Sequence, residues 1–229
     1  MSNSVTAIIP VKGNSTRLPN KNILPFGESN LLLHKINQLK AVQGLDHIIC
    51  SSDSDEMLEI AGNAGIEAIK RPIQFADESV PFGMFLEYIA NEMPGDHIMW
   101  ACATNPCVET YLYELAIKTY FKKLEEGYDS LMTCEPYQTY LLDENGPLNF
   151  SMGLAHKNSE QLPKLYHFTN GIDLAPKHKL AEWHYNYGPK AYRMMINKRE
   201  AADIDDVYDY VMAKALYEME DPNPTTSCD

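Results

Sequence analysis

Lys12, Arg17 and Lys21 follow an apolar run, Val5 to Pro10, and precede the first carboxylate, Glu28, in a chain whose net charge is −13. Gly13, Asn14, Ser15 and Asn22 lie among them. A local reversal of sign in an acidic protein suits one anionic ligand. Glycine lets the backbone approach a phosphate, hydroxyl and amide groups donate to its oxygens, and the cations neutralise it. Lysine supplies a mobile point charge and arginine a planar fork. The segment IIPVKGNSTRLPNKNILPF matches neither GxxxxGK[ST] nor GxGxxG, which excludes the usual NTPase and dinucleotide loops. A solvated loop with surface cations is the alternative.

A second constellation is Ala202-Asp203-Ile204-Asp205-Asp206. In an extended segment Asp203 and Asp205 point to the same side. Two hard carboxylates on one face suit Mg²⁺, with water and phosphate oxygens completing the shell. The competing role is helix capping by Asp205 or Asp206. Ser52-Asp53-Ser54-Asp55-Glu56 reads mainly as a cap, with Ser52 or Asp53 at the N-terminus and Asp55 or Glu56 closing a box. Arg71 precedes Pro72, which holds the backbone extended and can aim the arginine into a cleft, although a surface arginine is equally compatible. Asn170-Gly171 is either a substrate approach or a plain turn.

The elements that must position these residues alternate. Strands are expected at Val5–Pro10, His47–Cys50, Glu67–Ile69, His97–Ala101, Ser130–Thr133 and Ala191–Ile196. Helices are expected at Leu31–Val42, Asp55–Ala64, Phe82–Asn91, Glu109–Leu124 and Asp206–Glu218. Such alternation predicts an α/β fold, a mostly parallel doubly wound sheet of Rossmann-like type. Ligands in such sheets bind beyond the carboxyl ends of the strands. The loop at 11–22, Ser51-Ser52-Asp53, Arg71-Pro72 and Thr104-Asn105-Pro106 all fall on that edge. Between Tyr137 and Lys190 the periodicity weakens, and an insert of antiparallel strands and loops is expected there, including strands at Lys164–Phe168 and Ile172–Ala175, with aromatic residues suited to a substrate lid or a dimer contact. The segment Asp221–Asp229 reads as a flexible tail.

With 229 residues and 45% hydrophobic content, the chain is read as one domain. It has no stretch fit to span a bilayer and no secretory leader, so a soluble cytoplasmic protein is expected. Cys50, Cys102, Cys107, Cys134 and Cys228 form no CxxC pair, and the histidines show no zinc spacing. Acidic excess argues against nucleic-acid binding. Covalent catalysis finds no supporting pattern.

Taken in order, these motifs resemble those of the acylneuraminate cytidylyltransferase family. IIPVKGNSTRLPNKNI is similar to the family opening IIPARGGSKxIPxKNI, SSDSDEMLEIA to STDxxEIA, RPIQFADES to RPxxLAxDxx, ATNP to PTSP, NGIDL to NGAIY, and ADIDDVYDYVMAKAL to xDIDTxxDxxxAE. The resemblance implies a nucleotidyltransferase that passes CMP from CTP to a hydroxyl of an acidic, sialic acid-like nonulosonate and releases pyrophosphate. It implies Lys12, Gly13, Asn14, Ser15, Arg17, Lys21, Asn22 and Arg71 at the nucleotide, with Lys21, Asp203 and Asp205 catalytic. It further implies Mg²⁺ on Asp203 and Asp205, substrate contacts at Asn170, Gly171 and Cys102, and a homodimer.

Several positions depart from the pattern. Lys12 replaces an arginine, Asn14 a glycine, and Cys102 the glutamine that sialic acid enzymes place before PTSP. The Cys102-Ala103-Thr104 run disfavours the 3-deoxy-manno-octulosonate branch, whose Gln-Gly-Asp supplies a metal aspartate. Ser15-Thr16-Arg17-Leu18-Pro19 is also similar to spore-coat polysaccharide cytidylyltransferase homologues, which widens the acceptors to a phosphonate, a polyol phosphate or another sugar. A non-catalytic nucleotide-sugar binder is the remaining alternative. Lys157, Lys164 and Lys177 are the candidates to clamp a sugar carboxylate.

Overall fold

The computed structural model describes residues 3–76 and 79–227. Cys228, the last two tail positions, and Asp77-Glu78 of the RPIQFADES segment lie outside the described residues. Strand β1 (Val5–Pro10) is followed by a short pair, β2 (Pro25–Phe26) and β3 (Ser29–Asn30), then α1 (Leu31–Lys40) and β4 (His47–Ser52). Next come α2 (Asp55–Asn63), β5 (Glu67–Lys70), α3 (Phe82–Glu92), β6 (His97–Trp100), α4 (Thr110–Glu125) and β7 (Ser130–Tyr137). A small hairpin, β8 (Leu142–Asp143) and β9 (Gly146–Pro147), precedes β10 (Leu165–Pro176), α5 (Lys177–Trp183), β11 (Ala191–Met195) and α6 (Val207–Glu218).

Seven strands form one sheet in the order β11-β7-β10-β6-β1-β4-β5. β10 runs antiparallel to both β6 and β7, and the other pairings are parallel. Period-two alternation in β1 divides its side chains between two cores. Val5, Ala7 and Ile9 pack with Leu32, Ile36 and Leu39 of α1, while Ile8 packs with Phe85, Leu86 and Ile89 of α3. Each fully buried Leu or Ile contributes about 1.5–3 kcal/mol. The expected doubly wound sheet is therefore present, with α1, α2 and α4 on one face and α3 and α5 on the other.

The chain leaves β1 with β4 on one side and β6 on the other, so the strand order reverses there. That reversal opens a crevice at the carboxyl edge.

Two expectations change. The insert is smaller than residues 137–190, because Ile172, Asp173, Leu174 and Ala175 are buried in the middle of the sheet, paired to β6 and β7. Only the excursion around β8 and β9 projects, bearing exposed Leu142, Leu148, Met152 and Leu154. The periodicity is obscured by a register shift between Phe168 and Asp173 and by a buried acid in an apolar run. The tail is also held through residue 225. Fully buried Glu200 accepts from Thr225 N at 2.9 Å and from the Thr225 hydroxyl, and Asn197 Nδ2 donates to Asp221 and to the Asn223 carbonyl.

Candidate active site

The crevice holds two confluent lobes. A polar lobe of about 250 Å³ is lined by Asn14, Ser15, Arg17, Lys21, Asp203 and Asp205, among others. An apolar lobe of about 480 Å³ is walled by Arg71, Phe75, Val80, Phe82, Phe85 and Trp100. Pro10, Lys12, Cys102 and Asn170 line both and mark the junction.

The cationic loop and the aspartate pair, remote in sequence, meet in the polar lobe. Arg17 Nη2 donates to Asp205 Oδ1 at 2.8 Å, and Lys21 Nζ donates to the same oxygen at 3.2 Å and to the Ile204 carbonyl at 2.8 Å. Ile204 turns into a core with Phe26, Leu31 and Ala213, so its two neighbours face the cleft as the alternation predicts. Capping is settled in favour of Asp206. Its carboxylate accepts from Tyr208 N and Asp209 N, and Asp209 closes the box onto Asp206 N. Asp203 and Asp205 are thereby released from that task.

Asp203 Oδ1 is buried without a hydrogen-bond partner. Burial pushes this carboxyl above its ordinary range, helped by Asp205 and opposed by a Thr104 hydrogen bond and by Lys21. An orphaned, nearly buried oxygen beside a second carboxylate is a donor set that a hard divalent cation completes. Mg²⁺ needs only one or two carboxylates besides water and phosphate. The residues therefore fit Mg²⁺, although no cluster of three such ligands occurs among the described residues.

Gly13 and the cap of α2 differ from their sequence reading, whereas Asn22 and Arg71 line the cleft. Gly13 is absent from the cleft lining: its N–H donates to Asp53 Oδ1 at 2.9 Å, and a Cβ there would stand 2.9 Å from Ser54 Cβ. Its smallness thus serves packing against α2. Ser54 is the cap of α2, accepting from Met57 N, in place of Ser52 or Asp53. Asn22 is buried and donates from Nδ2 to the Lys12 carbonyl at 3.1 Å, tying the loop to itself. Arg71 is 4% exposed, which removes the surface reading. Its Nη2 donates to the Ser51 carbonyl at 2.6 Å, its guanidinium lies 4.4 Å from the Phe85 ring centroid, and burial lowers its pKa to about 10.

At Asn170-Gly171 the asparagine takes the left-handed conformation, with φ 53°. Gly171 instead faces inward, against Val108 and Thr133. Asn170 Nδ2 points at Cys102 Sγ, 3.6 Å away, and Asn186 Nδ2 bridges Asn170 Oδ1 at 3.4 Å and Asp173 Oδ2 at 2.5 Å. Burial holds the Cys102 thiol up near 12, so it stays protonated at neutral pH, and burial pushes the Asp173 carboxyl well above its ordinary range. A buried thiol raised in this way is a poor nucleophile.

Lys177 sits at the far edge, donating to the Met93 carbonyl, and neither Lys157 nor Lys164 lines the cleft. The sequence reading passed over Asp173, Asn186 and Lys35. Each polar residue at an apolar position was the available signal for the first and last.

Residues 6–146 match the family model described as cytidylyltransferase. A pseudaminic acid cytidylyltransferase of Campylobacter jejuni is 24% identical over 93% of this chain and 95% of its own length. An N-acylneuraminate cytidylyltransferase of Escherichia coli is 25% identical over 93% of this chain and 52% of its own. Among solved structures, a CMP:2-keto-3-deoxy-manno-octonic acid synthetase complexed with CTP superposes with a TM-score of 0.68 at 14% identity, covering 93% of this chain and 98% of that one. At that identity the likeness concerns the fold.

Proposed function

Because the chain belongs to the cytidylyltransferase family, we propose that it transfers CMP from CTP to a hydroxyl of an acidic nonulosonate sugar and releases pyrophosphate. The observation that carries this reading is the meeting of Arg17 and Lys21 with Asp203 and Asp205 in one polar lobe that opens into an aromatic one. The apolar lobe suits a base stacked among Phe75, Phe82 and Trp100, with Arg71 as its polar edge. Lys12 at the junction then meets the α-phosphate region, and Arg17 and Lys21 hold the departing pyrophosphate.

In the free protein those two cations rest on Asp205; a triphosphate draws them off it, exposing the carboxylate. Asp203 and Asp205 are the residues that would hold Mg²⁺, which when bound supplies charge stabilisation at phosphoryl oxygens and acidifies an attacking hydroxyl. The acceptor hydroxyl attacks the α-phosphate in line, its phosphorus–oxygen bond forming as the bond to pyrophosphate breaks and its proton passing to solvent. Positioning and preorganised charge carry such a transfer. Asn170 and the protonated Cys102 form the uncharged floor where the acceptor meets the nucleotide.

Cys102 at this junction favours a second reading in which the acceptor is a phosphonate, a polyol phosphate or another sugar. The exposed apolar excursion around β8 and β9 supports a homodimer, which sedimentation would test. The deciding assay is pyrophosphate release with CTP or UTP, Mg²⁺, and N-acetylneuraminate, pseudaminate and non-nonulosonate acceptors in parallel. Release with CTP and a nonulosonate is expected. Release only with another acceptor transfers support to the second reading, and none with any would leave a nucleotide-sugar binder.

A further inference from the structure

Lys35 of α1 is fully buried, and among the described residues no carboxylate pairs with it. Its Nζ donates to the Asn105 carbonyl at 3.0 Å and lies 2.6 Å from the Tyr113 hydroxyl and 3.5 Å from the Val108 carbonyl. A buried amine on two carbonyls and a phenol is costly to retain unless it organises something.

What it organises is the segment from Ala103 to Val108. Asn105 Nδ2 donates to the Thr169 carbonyl at 3.2 Å and reaches the Ala202 carbonyl at 3.5 Å, and the Thr104 carbonyl accepts from Ile204 N at 2.9 Å. Thr169 precedes Asn170, and Ala202 and Ile204 flank Asp203. One segment, seated on one amine, thus sets both the acceptor-side asparagine and the proposed metal ligand. Cys102, whose thiol feels the Lys35 charge, lines both lobes, so the amine sits one side chain beneath the floor.

We propose that Lys35 is a positioning residue of the cleft, seating the Ala103–Val108 segment through its amine, and that a polyanion bound above that segment draws a proton onto the amine. This rests on the nucleotide reading of the polar lobe. The titratable groups facing Lys35 are Tyr113 of α4, Cys107 of the segment and Cys102 just before it, with His34 beside it on α1. Both charge states are accommodated. The ammonium donates to the Tyr113 oxygen, and the neutral amine accepts the Tyr113 proton while keeping both carbonyls. Burial lowers the amine's pKa to about 7, which leaves room for uptake when negative charge arrives.

The test is calorimetry of CTP with Mg²⁺ on the full chain, in buffers of different ionisation enthalpy, across pH 6.5–8.5. At pH 7.5 the wild type is expected to take up about half a proton more per CTP than Lys35→Met. Its affinity should exceed the variant's by about tenfold at pH 6.5, narrowing as pH rises. Equal uptake and equal affinity overturn the proposal. Failure of the wild type to bind CTP overturns the nucleotide reading, and the coupling with it. If Lys35→Met does not fold, Tyr113→Phe serves. The ammonium loses a charge-assisted hydrogen bond and the neutral amine only a weaker neutral one, so maximal uptake should move to lower pH; an unmoved maximum overturns the proposal.

Discussion

Arg17 Nη2 and Lys21 Nζ converge on a single oxygen, Asp205 Oδ1, at 2.8 and 3.2 Å. Arg17 is 64% exposed and Asp205 44%, so the pair adds little stability by itself. On the proposed reading its value lies in poise: the cations are stored where a triphosphate would collect them, and their release would free a carboxylate beside Asp203. Asp205→Asn should therefore lower pyrophosphate release at least about 100-fold. Circular dichroism and melting should be unchanged within about 0.5 kcal/mol. Retained turnover would remove Asp205 from the proposed machinery.

Asp203 predicts the opposite balance between stability and activity. Its folded pKa is raised, so between the ordinary carboxylate range and that raised value the folded state holds a proton that the unfolded state has lost. Stability from this group therefore falls as pH rises through the window. Asp203→Asn replaces a buried carboxyl, one of whose oxygens has no partner, by a neutral amide, and at pH 7 it should raise Tm by a few degrees while abolishing turnover. A lower Tm would show that the carboxylate is satisfied in the free protein.

Much of this arrangement was legible in the sequence because it depends on local rules. Alternation of apolar runs located the strands of the sheet, and the cationic loop fell at the end of the first of them, where ligands bind. The spacing Asp203-Ile204-Asp205 placed both carboxylates on one side. What escaped was set by tertiary contacts. Gly13 answers to Ser54, remote in sequence and adjacent only in the fold. β10 lies mid-sheet because Ile172 and Leu174 find a core that no local pattern announces, and a buried Asp173 disguises the run. The tail is held by Glu200, whose donors become visible only once Thr225 is folded back upon it.

The contact at Gly13 makes a pairwise prediction. Gly13→Ala places a methyl 2.9 Å from Ser54 Cβ and should cost about 1–3 kcal/mol, with the loop displaced and the KM for CTP raised. Ser54→Gly alone should cost only a few tenths of a kcal/mol as a helix cap. Combining them should recover most of the loss in denaturant unfolding. Simple additivity would mean that the glycine is needed for a reason other than this contact.

Arg71 separates binding from chemistry. Its guanidinium is spread over Phe85 and tied to Ser51 at the wall of the apolar lobe, away from Asp203 and Asp205. Arg71→Lys keeps the charge and loses the fork, so the KM for CTP should rise about tenfold or more with kcat changed less than threefold. A fall in kcat with an unaltered KM would place Arg71 nearer the reacting phosphate.

The buried amine of Lys35 makes the last prediction, on stability and its sign. Burial lowers its folded pKa to about 7 from an unfolded value of 10.5. Between these, the unfolded chain binds a proton that the folded chain does not, so the cost of burying the ammonium is full below pH 7 and is relieved as pH rises. Measured as a difference from Lys35→Met, which has no such group, wild-type stability should climb steadily from pH 7 to pH 9. Removing the Lys35 charge moves the Cys102 and Cys107 thiols only further up from values already near 12 and 11, so in both folded proteins they keep their protons through pH 9 and drop out of the difference. A flat difference would mean that the amine stays charged through this range, held by groups other than the two carbonyls and Tyr113.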